Sequence, residues 1–259
     1  MELWLVDLDA AASALEALER EVPRLSADER ARARRLKEPR ERRQRLAAYM
    51  ALRIAIARVG GGAVGRKPFA RTASGKPHLG PAAPSFSLAH TAGLALVGVA
   101  RTEPIGVDLE RHRSLSLSAR RRQEILAVGA GLALQVPRAG ASDAPLLQAW
   151  CRLEAFAKAT GQGVARLLSE LGVRAGPQLA PIEIEAAARR LARAGGLAVN
   201  DLQLPPGLYG AVAFTGLRAP PRVRRFPVKE PAIRRLLSTT RLTHRQAPPS
   251  PVAGGQRLR

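Results

Sequence analysis

Apolar and polar positions alternate over residues 3–8, the period-two pattern of a short strand. The period then lengthens. Over residues 10–20, Leu15 and Leu18 fall on one face of a helix. Ser26 and Glu29 stand three apart ahead of a basic stretch, the spacing of a capping box with Ser26 as N-cap. The helix it opens is expected to end near Pro39. Residues 41–58 give the clearest helix of the first half. Leu46, Met50 and Ile54 recur every four residues, and Tyr49, Leu52 and Ile56 widen the buried face. Gly60-Gly61-Gly62 ends it. Three apolar runs separated by Gly and Pro, at 85–88, 94–100 and 105–109, read as strands. Helical spacing returns at 118–128, 144–160 and 182–194, and strands are expected at 197–203 and 208–214. Residues 129–144, rich in Gly, Ala and Pro, read as a loop. After residue 216 the pattern dissolves into Pro and Arg. There a short basic helix over 232–237 is the one regular element expected, and the remainder lacks the apolar content to offset the entropy of ordering.

The chain has 259 residues, 46% of them hydrophobic, enough for one large domain or two small ones. The order strand, helices, strands occurs before residue 105 and again after it, which is compatible with an internally duplicated α+β fold. The formal net charge is +21, and residues 217–259 carry eleven basic side chains against Glu230 alone. Such a surface attracts polyanions, without choosing among them. The tail has a single aromatic, Phe226, and no helix-turn-helix or zinc-ligand spacing is visible, so a dedicated nucleic-acid partner is not expected. The lone cysteine, Cys151, excludes an intrachain disulfide and reads as structural. The N-terminus lacks the basic and apolar regions of a secretory signal, and the longest apolar run, 94–100, is too short to span a bilayer. A cytoplasmic protein without transmembrane segments is expected.

Four short segments carry the chemistry. Gly75-Lys76-Pro77 is a turn whose lysine could meet a phosphate; it is also an ordinary surface turn. Phe86-Ser87-Leu88-Ala89-His90-Thr91 ends a strand in a histidine, which could bind phosphate or simply bond to backbone. In Gly106-Val107-Asp108-Leu109-Glu110, strand alternation sends Asp108 and Glu110 to one face and Val107 and Leu109 to the other. Paired carboxylates suit a hard cation such as Mg²⁺; a solvated strand end is the plainer reading. On the helix from Trp150, Glu154 and Lys158 follow at intervals of four and share a face. They could be a metal carboxylate and a phosphate-binding lysine, or a surface salt bridge.

Their order decides. Gly-Lys-Pro, Phe-x-x-x-His-Thr, Gly-Val-Asp-Leu-Glu and Trp-x-x-x-Glu-Ala-Phe-x-Lys-x-x-Gly-x-Gly together resemble the signature series of the 4′-phosphopantetheinyl transferase superfamily, over residues 40–215. The length resembles the larger, Sfp-type members. That resemblance implies an α+β pseudo-dimer with the active site in the cleft between two similar halves. The first half would span residues 1–104 and the second, carrying the metal site, 105–216; by their composition residues 217–259 would add a basic, flexible tail. It implies that Asp108, Glu110 and Glu154 hold Mg²⁺, with Mn²⁺ an alternative. His90 and Lys158 would contact coenzyme A phosphates, Lys76 would sit near the nucleotide end, and Arg45 would assist the 3′-phosphate. Glu154 would take the proton of the attacking serine, and Lys158 would support the developing charge. The implied partner is an acidic apo acyl or peptidyl carrier protein, modified by a monomeric enzyme that releases 3′,5′-ADP. Three positions depart from the usual series. Leu153 stands where lysine is usual, removing a cation expected near the site. Ser87 and Ala89 replace the usual Asn and Ser. These departures motivate an alternative: a transferase-like protein that binds coenzyme A or a carrier without efficient turnover.

Overall fold

The computed structural model describes residues 1–134, 143–173, 179–216 and 221–238. β1 (Glu2–Asp7) leads directly into α1 (Leu8–Glu21), where the Asp7 carboxylate accepts the Ala10 amide at 3.0 Å. α2 (Ala27–Arg34) opens on the expected capping box between Ser26 and Glu29. It stops at Arg34, short of Pro39. Pro39 instead opens α3 (Pro39–Gly60), at the first-turn position where a missing N–H is harmless. α3 ends against Gly61, whose φ of 91° is left-handed and suits only glycine. A 3-10 turn, Val64–Arg66, then leads into a small hairpin of β2 (Ala70–Arg71) and β3 (Pro77–His78), which the sequence pattern does not reveal. β4 (Ser85–Thr91) and β5 (Leu94–Ala100) join the first sheet, with β4 antiparallel to β5 and β5 antiparallel to β1.

The second unit repeats that order. β6 (Ile105–Arg111) is followed by α4 (Ala119–Leu132), α5 (Ala144–Thr160), α6 (Val164–Glu170) and α7 (Pro181–Ala194), then β7 (Leu197–Asp201) and β8 (Leu208–Thr215). In both units the last strand lies in the middle: β4-β5-β1 and β6-β8-β7. The loop expected from residue 129 starts later, because α4 continues to Leu132. Its glycines are not breakers. A Cβ on Gly129 would lie 2.4 Å from the Ala149 Cβ, and one on Gly131 would lie 2.3 Å from the Glu185 carbonyl oxygen. They let α4 pack tightly on α5 and α7. Residues 135–142 of the expected loop lie outside the described residues.

Both sheets are covered on both faces. Trp4 and Val6 pack with α1 and α3, while Leu3 and Leu5 face the other way. There they join Leu96, Ile105, Val107, Leu109 and Val212 in an apolar core between the two units. Among the described residues no helix is long and apolar enough to cross a membrane.

The basic tail departs from expectation. Val223–Arg225 forms β9, which pairs parallel with the open edge of β1. Phe226 is buried and meets Trp4 edge-to-face at 6.0 Å. α8 (Glu230–Ser238), which contains the expected 232–237 helix, buries Ile233 in the core of the first unit. Arg58 donates to the Leu236 carbonyl at 3.3 Å, and Arg234 pairs with Glu21. Three residues with one apolar side chain carry no readable period, so the free edge of β1 supplies the order. Of the residues expected to be flexible, 217–220 and 239–259 lie outside the described residues.

Candidate active site

The site begins with a missing side chain. A Cβ on Gly106 would lie 1.9 Å from the Ala155 carbonyl oxygen and 2.4 Å from the Ala159 nitrogen. Only glycine lets β6 lie directly on the backbone of α5. With the strand so placed, Val107 and Leu109 enter the core between the units, and Asp108 and Glu110 face the cavity. Across from them α5 presents Trp150, Glu154 and Lys158 on one face, as the four-residue spacing predicts.

Lys158 Nζ donates to Asp108 Oδ1 at 2.6 Å. Asp108 is 6% exposed, and its Oδ2 is buried without a hydrogen-bond partner. Burial pushes the Glu154 carboxyl above the usual carboxylate range. Lys158 pulls it down, while the negative charges of Asp108 and Glu110 push it further up. Glu110 is half-buried and also meets Arg113 at 3.4 Å. Behind the cluster Cys151 is buried with its thiol 3.5 Å from the Tyr209 carbonyl oxygen. Burial, Asp108 and Glu110 all raise its pKa, which keeps it protonated and inert, as its structural reading expects.

The opposite wall belongs to the first unit. His90, near the end of β4, faces the cavity with Arg45 of α3. Desolvation in the cleft, helped by the positive Arg45 and Lys158, lowers the His90 pKa. Lys76 reaches across from the hairpin and donates to the Ala159 carbonyl at 2.9 Å, near the C-terminal end of α5. Burial lowers its pKa too. All seven side chains selected from the sequence therefore line one cavity of about 600 Å³ between the units. Arg32 and Arg71 line it as well, and both contact Asp28, at 2.9 and 3.8 Å. Nothing in the sequence separates these two arginines from their many neighbours.

The carboxylates share the cavity, yet among the described residues no three acidic, histidine or cysteine side chains are grouped closely enough to hold a metal ion. Lys158 neutralises part of Asp108 instead. The donor set still fits a hard cation. It offers oxygens only, sets three carboxylates against one lysine, and includes a buried Asp108 oxygen that nothing satisfies.

The sequence departures also find their places. Leu153 is fully buried in the core of the second unit, so no cation is lost from the cavity at that position. Arg152 is no substitute for one: it is buried, donating to Asp201 at 2.7 Å and to the Gly129 carbonyl at 3.3 Å. Ala89 is buried in the core between the units. Ser87 keeps its hydroxyl occupied, accepting the Val107 amide at 3.0 Å.

No protein-family model matches the chain. Among curated proteins, it is 34% identical over 172 residues to the 4′-phosphopantetheinyl transferase HetI of a Nostoc species, covering 64% of this chain and 71% of that protein. The chain belongs to the 4′-phosphopantetheinyl transferase family. A second family relative, a Synechocystis protein named for the same activity, is 29% identical over 150 residues, covering 57% of this chain and 61% of its own.

Proposed function

We propose that this chain transfers the 4′-phosphopantetheine group of coenzyme A to a serine of an apo acyl or peptidyl carrier protein, releasing 3′,5′-ADP. The observation that carries the reading is the convergence of Arg45, Lys76, His90, Asp108, Glu110, Glu154 and Lys158 on one cavity in a chain of this family. The two units, with the same strand order, act as the halves of a pseudo-dimer, and their cleft lies within one chain, so no second copy is required.

Asp108, Glu110 and Glu154 would hold a divalent cation, Mg²⁺ or Mn²⁺. Once bound, it would neutralise phosphate charge during transfer. The remaining chemistry belongs to the side chains. Lys158 and His90 place positive charge beside the coenzyme A phosphates. Arg45, with Arg32 and Arg71 further along the wall, receives the nucleotide phosphate, and Lys76 closes that end. The serine oxygen bonds to the phosphorus that carries pantetheine. The bond from that phosphorus to the bridging oxygen breaks, and the oxygen leaves with 3′,5′-ADP. The serine proton passes to Glu154, a carboxylate that faces the same cavity.

The burial of Leu153 in the core weakens the case for the weakened-enzyme alternative. The test is incubation with coenzyme A, Mg²⁺ and a panel of apo carriers, followed by carrier mass. A phosphopantetheine mass gain is expected, and Asp108→Ala should slow it at least about a hundredfold. Coenzyme A binding without any mass gain would favour the alternative; absence of binding would remove both readings.

A further inference from the structure

We infer that Ser87 is a positioning residue that fixes the His90 strand against the Asp108 strand, an inference that rests on the transferase reading above. β4 and β6 are edge strands of different sheets, with no backbone ladder between them among the described residues. What lies between the units is an apolar core of Leu, Ile, Val and Ala side chains, in which contacts are non-directional. Such a surface holds two units together without choosing one register. A buried hydrogen bond does choose, because displacement leaves its donor unsatisfied.

That bond runs from the Val107 amide to Ser87 Oγ, at 3.0 Å, with both residues buried. Other polar ties between the units are less buried: Lys76 to the Ala159 carbonyl at 2.9 Å is partly buried, and Arg111 to the Ala92 carbonyl at 3.4 Å is exposed. Ser87 and Val107 also stand next to the chemistry. His90 follows Ser87 by three residues on the same strand, and Asp108 follows Val107 directly. Any slip between the strands is therefore delivered to the distance between a phosphate-binding imidazole and the carboxylate that Lys158 meets.

The experiment compares wild type, Ser87→Ala and Ser87→Thr by amide hydrogen exchange, without metal or coenzyme A, and by steady-state transfer. In Ser87→Ala the Val107 amide should exchange about tenfold faster, the value expected for losing one hydrogen bond. Amides of the β1–β5 ladder should keep their rates. kcat should fall about ten- to a hundredfold, as positioning errors do, with KM for coenzyme A changing much less. Ser87→Thr, which keeps the hydroxyl, should restore both readouts. Unchanged Val107 exchange, or unchanged kcat, in Ser87→Ala would overturn the inference. Equal acceleration of the β1–β5 amides would overturn it too, as general destabilisation. If wild type modifies no carrier, the transferase reading fails and takes the positioning role with it. The exchange data then show whether the bond itself exists.

Discussion

Asp108 is held by one lysine and left with one unsatisfied oxygen, and desolvation with the nearby Arg45 and Lys158 lowers the His90 pKa. A ligand that brings charge would act on both. For His90 the sign is definite. Desolvation, Arg45 and Lys158 hold its folded pKa below the ordinary value, which favours the neutral imidazole in the free protein. A phosphate beside it favours the protonated form. Coenzyme A should therefore bind with proton uptake, and more tightly at about pH 6 than at about pH 8. Titration calorimetry in buffers of different ionisation enthalpy measures this, and His90→Gln should flatten most of the pH dependence.

Two elements carry more of the design than their lengths suggest. β6 depends on Gly106. Gly106→Ala places a methyl group inside α5 backbone contact distance, where no side chain can give way. It should destabilise the protein by about 3 kcal/mol, read from urea unfolding, because overpacking at a rigid contact costs that much. Transfer should fall with it, since the same contact sets Asp108 beside Lys158. The second element is the β9–α8 segment. Composition predicts a flexible tail after Gly216, but Phe226 and Ile233 are buried in the first unit. Ending the chain after Gly216 should cost about 3–6 kcal/mol from those two side chains alone. Urea unfolding of the truncated and full-length chains measures this loss.

At the scale of the molecule, a chain of net charge +21 forms a cleft between its two units. An acidic carrier protein approaches such a surface faster than diffusion alone allows, and salt removes that advantage. KM for an acidic carrier should rise several-fold when ionic strength increases from about 50 to about 300 mM, a range over which the screening length falls roughly from 14 to 6 Å. A smaller rise is expected for a carrier whose surface acids have been neutralised. Equal salt dependence for both carriers would show that net charge does not guide docking.

The sequence alone determined most of the elements, because long helices and buried strands impose their own periods. Leu46, Met50 and Ile54 reveal α3, and the i,i+4 spacing of Trp150, Glu154 and Lys158 puts them on one face before any fold is known. It also determined which side chains to watch, because the four motifs keep their residue types and order. Tertiary structure decided what those side chains touch. That Lys158 neutralises Asp108, that Lys76 bonds to the last turns of α5, and that Leu153 and Arg152 are buried away from the cavity all depend on packing between distant segments. So do the Ser87 hydroxyl, occupied by an amide twenty residues away, and β9, ordered by the open edge of a strand at the other end of the chain. Local periodicity records which way a side chain points relative to its own element. It does not record what another element brings to meet it.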